Sequence, residues 1–164
     1  MECIYPKLKF SFSNVVVPPE TGGYKMLADV EGNLKITLGK QIFFDEEYIL
    51  LLELAIRLIK WISKIESEEI VDFYYESMDY EDAPILAFKV NTDSTWHLFS
   101  MWQNFNDSSH ISSEELIQST KTFITALAAH ITTDLDLDID MCDINVESYR
   151  FLAWVETHKN NFSL

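Results

Sequence analysis

One segment constrains the fold more than any other. From Tyr48 to Ile62 the chain is almost continuously apolar, with Leu50, Leu51, Leu52, Leu54, Ile56, Leu58, Ile59, Trp61 and Ile62. The polar residues of this stretch and its continuation, Glu53, Arg57, Lys60 and Lys64, fall four, three and four positions apart. At 3.6 residues per turn they make one narrow stripe, so such a helix is buried on most of its circumference and needs cover on several sides. It is not a spanning helix: fifteen residues with three charges fall short of the about 20 nearly uncharged residues a bilayer requires. Asp45 reads as its N-cap, with Glu46 and Glu47 matched to the positive end of the helix dipole, and the helix is expected to run to about Lys64.

Strands supply the cover. Leu8, Phe10 and Phe12 alternate with Lys7, Lys9, Ser11 and Ser13, the period of two of a half-buried strand, which continues toward Val17 before Pro18-Pro19 stops it. A second strand is expected around Lys25–Val30 and a turn at Glu31-Gly32-Asn33. Alternation resumes at Leu34, Ile36 and Leu38, and Gly39-Lys40 turns the chain into Gln41–Phe44. Beyond the helix, Ile70–Ser77 places Val71, Phe73 and Tyr75 on one face and Asp72, Tyr74 and Glu76 on the other. Ile85–Asn91 turns Leu86, Phe88 and Val90 inward and Ala87 and Lys89 outward, and Asn91–Ser94 is a hairpin connection. Thr95–Gln103 is apolar on both faces, which suits a central strand.

Asn104–His110 is a polar loop. Ser112 with Glu115 fits a capping box, and Leu116, Phe123, Ile124, Leu127 and Ile131 carry a second amphipathic helix from about Ser113 to Ile131. Asp134–Asp143 reads as an edge strand or an acidic loop, and Tyr149–Glu156 as a short terminal helix. The order implies a single α+β domain over residues 1–164. In it, an antiparallel sheet of about five to seven strands carries two main helices on one face and a short C-terminal helix. Regular βα alternation, as a doubly wound fold needs, is missing.

Charge sharpens the picture. The chain is 48% hydrophobic with a net charge of −15, a composition too apolar for intrinsic disorder. Residues 1–64 are neutral, so the whole excess lies in 65–164, where 19 acids meet four bases. Glu66 to Asp82 is a base-free run of eight acids, and Asp134 to Glu147 holds six more. Cys3 and Cys142 are too few for a disulfide scaffold, and Met1 to Lys9 hold no signal-like apolar stretch. The expectation is a soluble, cytoplasmic protein with reduced thiols and no membrane association.

The candidate site follows from the first acidic run. Tyr74 lies between Asp72 and Glu76 on an outward strand face, followed by Asp79, Tyr80, Glu81 and Asp82. Tyrosines among carboxylates suit a basic protein partner and would repel nucleic acid phosphates. Catalytic and cofactor signatures are absent. From Asp136 the acids mimic a calcium loop, with Asp138, Asp140 and Glu147 in register, but Met141 stands where the turn needs glycine. His97, His110, His130 and His158 form no zinc or catalytic motif, although His130 and Asp134 could meet on a longer helix. All glycines precede residue 40, which removes phosphate-binding loops. Trp61, Trp96 and Trp102 read as core. No catalytic residue, metal or cofactor is assigned.

Taken together, the size, the acidic tract Glu66–Asp82 and the aromatic strand Thr95–Trp102 resemble the small acidic immunity proteins of bacterial polymorphic and contact-dependent toxin systems. That resemblance implies a non-catalytic inhibitor of a cognate basic toxin domain, in many systems a nuclease. Two alternatives stand beside it. One is a nucleic-acid-mimicking inhibitor of a defence or restriction enzyme, with acids spaced along a convex face. The other is a small ligand-binding domain or enzyme, with His97 or His130 beside a carboxylate in a pocket.

Overall fold

The computed structural model describes residues 7–16, 30–76 and 84–131. Within them the order is β1 (Leu8–Val16), β2 (Glu31–Leu38), β3 (Gln41–Leu50), α1 (Leu51–Glu66), β4 (Phe73–Tyr75), β5 (Leu86–Val90), β6 (Trp96–Phe99) and α2 (Ser113–Ala129). The class is α+β. The strands form two three-stranded antiparallel sheets, β1-β2-β3 and β4-β5-β6, in place of the single larger sheet the sequence suggests. The helix explains the division. α1 packs against β2, β4 and α2, and only its expected stripe of Arg57, Lys60 and Lys64, with Ser63 and the terminal Glu66, faces outward, Glu53 being half-buried. A helix apolar on most sides is satisfied by two sheets and a second helix, not by one flat sheet with both helices on a single face.

Two sequence readings near this helix are corrected. Glu31-Gly32-Asn33 is strand, not turn, and Asp45, Glu46 and Glu47 extend β3 and do not cap α1. The physical reason is a ladder between them: Lys35 pairs with Asp45, Leu34 with Glu46, Gly32 with Ile49 and Glu31 with Leu50. The helix begins immediately afterward at an N-cap, Leu50, whose side chain makes no cap bond. Instead the Val30 carbonyl accepts the Leu51 N–H at 3.0 Å, satisfying one of the helix's orphan donors. Gly32 is required for proximity: a Cβ there would sit 2.8 Å from Leu51 Cδ1 and 2.9 Å from the Ser13 carbonyl oxygen. A register shift beside the pair Ile36–Phe44 inserts Phe43, so both phenylalanines are buried. The turn at Gly39 is as expected, with φ of +62°.

The second sheet also departs from its pattern. β4 keeps the expected faces, Phe73 and Tyr75 buried and Tyr74 outward, but only for three residues. Two side chains intercept the ladder before it: Trp61 Nε1 donates to the Val71 carbonyl at 2.9 Å, and Asp72 Oδ1 accepts the Val90 N–H at 2.9 Å. The central strand is β5, with Ala87 buried and Val90 38% exposed at its end, not the Thr95–Gln103 segment. β6 stops at Phe99, and Ser100 and Gln103 fold the chain back through bonds from the Ser100 N–H to Gln103 Oε1 (3.1 Å) and from the Trp102 N–H to Ser100 Oγ (3.0 Å). Its open edge is covered by Asp107, whose Oδ2 accepts the Leu98 N–H at 2.8 Å, and by paired bonds between Trp96 and Ile111.

At α2, Ser112 Oγ accepts the Glu115 N–H at 3.1 Å, as a cap should. Glu115 does not close the box. Its Oε1 accepts the N–H groups of Lys7 (2.7 Å) and Leu8 (3.1 Å), fastening the start of β1 to the helix. Lys121 joins Glu66 across the two helices at 2.6 Å. Trp61 centres the core, 6.0 Å from Phe73, 5.3 Å from Phe88 and 5.5 Å from Trp96, while Phe10 reaches both Phe88 and Phe123 at 6.1 Å. Trp96 and Trp61 are thus core as read; Trp102 is half-buried. The expected strand around Lys25–Val30, apart from Val30 itself, lies outside the described residues, as do the segments Asp134–Asp143 and Tyr149–Glu156 and both cysteines. Among the described residues no helix is long and apolar enough to cross a membrane. Replacing Gly32 with alanine is expected to destabilise the fold by about 1–3 kcal/mol, the usual cost of overpacking, read as a lower urea midpoint at unchanged slope.

Candidate functional site

Of the residues singled out by sequence, Asp72, Tyr74 and Glu76 are described; Asp79, Tyr80, Glu81 and Asp82 lie outside the described residues. Tyr74 points outward, 47% exposed, and its hydroxyl donates to Asp72 Oδ2 at 3.2 Å. Its pKa is raised, by desolvation first and then by the Asp72 charge and hydrogen bond. With its other oxygen on the Val90 N–H, Asp72 is engaged twice within the fold. Glu76 is exposed. The same sheet face also carries a base: Lys89 Nζ stands 4.9 Å from the Phe99 ring centre, directly across from His97. This face is mixed, not purely acidic.

The structure gathers a second set that sequence reading missed. A groove of about 770 Å³ runs between the end of β3 and the second sheet, lined by Glu31, Asp45, Glu46, Glu47, Tyr48, Ile49, Leu50, Tyr75, Ile85 and Trp102. Among the described residues that line it, the charged ones are all carboxylates. Among the described residues none of these four acids has a side-chain hydrogen bond or ion pair. The local cause is a bulge. Between the pairs Gly32–Ile49 and Leu34–Glu46, β3 carries one extra residue, Glu47 and Tyr48 standing against Asn33 alone, and Tyr48 takes a φ of +60° and stands 75% exposed. The run Asp45-Glu46-Glu47-Tyr48 was the available signal, but beside an apolar run it also reads as a helix start. A smaller depression of about 560 Å³ on the outer face of the first sheet shares Asp45 and Glu47, and there Lys35 is present.

Tyr75 forms part of the groove although it is only 1% exposed. Burial raises its pKa above the ordinary value near 10, and Glu53 adds to the rise while Arg57 opposes it. The Arg57 guanidinium carbon lies 5.8 Å from the Tyr75 ring centre. Among the described residues the Tyr75 hydroxyl has no hydrogen-bond partner.

The histidines are placed elsewhere. His97 Nδ1 lies 2.6 Å from Asn91 Oδ1, and the His130 ring is 5.6 Å from that of Phe12. His110 Nδ1 meets Asp93 Oδ2 at 2.8 Å on an exposed hairpin. Asp93 has a lowered pKa, chiefly from the hydroxyl and backbone N–H of Thr95 and then from His110. Neither depression is lined by a histidine. Among the described residues no group of three or more His, Cys, Asp or Glu is placed to hold a metal ion.

A family model described as a domain of unknown function, DUF7878, matches residues 8–133. The chain belongs to this family. No curated protein and no solved structure matches it. The matched span includes every element from β1 to α2 and all residues of the groove, whereas the acids from Asp134 to Glu147 fall beyond it.

Two outcomes follow from the groove's geometry. Tyr48→Gly relieves a left-handed conformation and should raise stability by about 1 kcal/mol in urea unfolding. Tyr75 titrates later in the folded chain than in the unfolded one, so its contribution is full below pH 10 and declines as pH rises above it. Alkaline unfolding curves should therefore show a shallower fall with pH for Tyr75→Phe than for the parent chain.

Proposed function

We propose that this chain is a non-catalytic acidic binding protein that neutralises a basic partner protein, acting in the bacterial cytoplasm as the immunity partner of a cognate toxin domain. The observation that carries the reading is the groove. Four carboxylates without a side-chain partner among the described residues stand beside an exposed tyrosine and a half-buried tryptophan. A concentrated field of one sign speeds encounter with an opposite one, and aromatic anchors then hold the complex. The acidic-aromatic strand face adds Tyr74 and Glu76 to the same reading, with Asp79, Tyr80, Glu81 and Asp82 following in sequence. Asp72 serves by holding the Tyr74 hydroxyl.

A nucleic acid mimic would string its acids along a convex face, whereas these line a concavity. An enzyme would draw on His97 or His130 beside a carboxylate in a pocket, and among the described residues neither lines the groove or the smaller depression beside it. Both points support the protein-binding reading.

The test first identifies the protein encoded beside this chain, where a neighbour without a basic domain overturns the proposal, and then follows association of that domain with the full chain by surface plasmon resonance from 50 to 500 mM salt. Association is expected to slow by at least about tenfold over that range and by a similar factor in Glu46→Lys/Glu47→Lys at low salt, with dissociation changing less. Rates indifferent to salt and to the double reversal overturn the proposal. Asp72 is left intact in this design because its carboxylate holds the Val90 N–H.

A further inference from the structure

We infer that the polar strap Gln103–Ile111 is an autoinhibitory guard, occupying an edge of β6 along which a second copy of the chain would otherwise pair. The inference is independent of the groove and goes beyond the functional reading above.

Backbone donors define the edge. The Asn91 N–H bonds the Thr95 carbonyl at 2.7 Å and the Met101 N–H bonds the Pro84 carbonyl at 3.0 Å. Odd-numbered residues of this strand therefore face β5, and even-numbered ones face away from it. The strap takes three successive outward N–H groups. That of Trp96 goes to the Ile111 carbonyl at 2.8 Å, that of Leu98 to Asp107 Oδ2 at 2.8 Å and that of Ser100 to Gln103 Oε1 at 3.1 Å. Only the first acceptor is backbone. A carboxylate and a carboxamide stand where a further strand would place its carbonyls.

Both stand-ins are held in position. Asp107 Oδ1 accepts the Ser109 N–H at 2.8 Å, and Gln103 Nε2 donates to Asn106 Oδ1 at 2.7 Å. Near one end of the strap, Asn104 donates its N–H to the Phe43 carbonyl at 2.9 Å and its Nδ2 to the Ile42 carbonyl at 3.1 Å. Near the other, His110 Nδ1 meets Asp93 Oδ2 at 2.8 Å on the hairpin.

The guarded segment itself points to the occupant. From Trp96 to Trp102 the chain has three aromatic residues, a leucine and a methionine, and no Asp, Glu, Lys, Arg, Gly or Pro. Windows of this kind pair with copies of themselves when an edge is open. In a chain of net charge −15, two copies aligned here bring no like formal charges together within the segment. An antiparallel register centred on Leu98 sets Trp96 of one copy opposite Ser100 of the other, so the outward donors of each meet the carbonyls of an identical edge.

The experiment follows self-association of the full chain by sedimentation equilibrium from about 5 to 500 μM, with amide exchange of the same samples read by NMR. The variant Gln103→Ala/Asp107→Ala removes both side-chain acceptors. Its association constant is expected to rise at least about tenfold over the parent chain. Its Leu98 and Ser100 amides should exchange faster than in the parent at low concentration and regain protection as concentration rises. Asp107→Asn loses the same charge as Asp107→Ala but keeps an acceptor oxygen, so it should stay as monomeric as the parent. A folded double variant no more associated than the parent overturns the guard. Association of Asp107→Asn to the same extent overturns it too, because lost charge would then be the cause, as does association without concentration-dependent protection of Leu98. If circular dichroism shows the double variant unfolded, Asp107→Ala alone is judged on the same criteria.

Discussion

The structure depends on the burial of α1, and within it on Trp61. Ten of the helix's sixteen residues are buried, and each large apolar side chain among them contributes about 1.5–3 kcal/mol. Against that, the N-cap bond that Asp45 might have made is worth about 1 kcal/mol. The comparison explains why the helix starts at an uncapped leucine. Continuing β3 to Leu50 keeps the ladder with β2 and places Leu51 and Leu52 directly in the core, while the Val30 carbonyl takes the Leu51 N–H. Trp61 then joins the layers: its ring meets Phe73, Phe88 and Trp96, and its N–H holds the Val71 carbonyl. A buried indole with its donor satisfied fixes orientation as well as volume.

The negative charge serves two different ends. Several acids are structural acceptors: Asp72 for Val90, Asp107 for Leu98 and Ser109, Glu115 for Lys7 and Leu8. Each gives a backbone N–H a charge-assisted partner where a strand edge or terminus lacks one. Glu66 is matched by Lys121. The groove acids differ from these because no side-chain bond occupies them among the described residues, and because a bulge in β3 presents them next to Tyr48. An uneven distribution of charge along a sequence therefore says less about a binding surface than which carboxylates the fold leaves uncommitted. Here the groove acids lie within residues 1–64, whose net charge is zero.

Local periodicity determined much of this protein without help from the fold. Alternation located β1, the later part of β2 and the faces of β4; the four-three-four spacing of Glu53, Arg57, Lys60 and Lys64 marked the outer side of α1; Ser112 marked the start of α2. These features come from side chains a few residues apart, and sequence records such distances directly. Tertiary structure alone decided that the strands divide into two sheets and that Asp45 to Tyr48 belong to a strand. It also decided that a groove forms where Tyr75 and Trp102 approach them. The groups that settle these points, Asn104 on the edge at Ile42 and Phe43, Asp107 on Leu98, and Gly32 against Leu51, act on partners the chain brings close only by folding. Their contributions have no period, because they are set by which backbone donors and acceptors the packed core leaves without a strand.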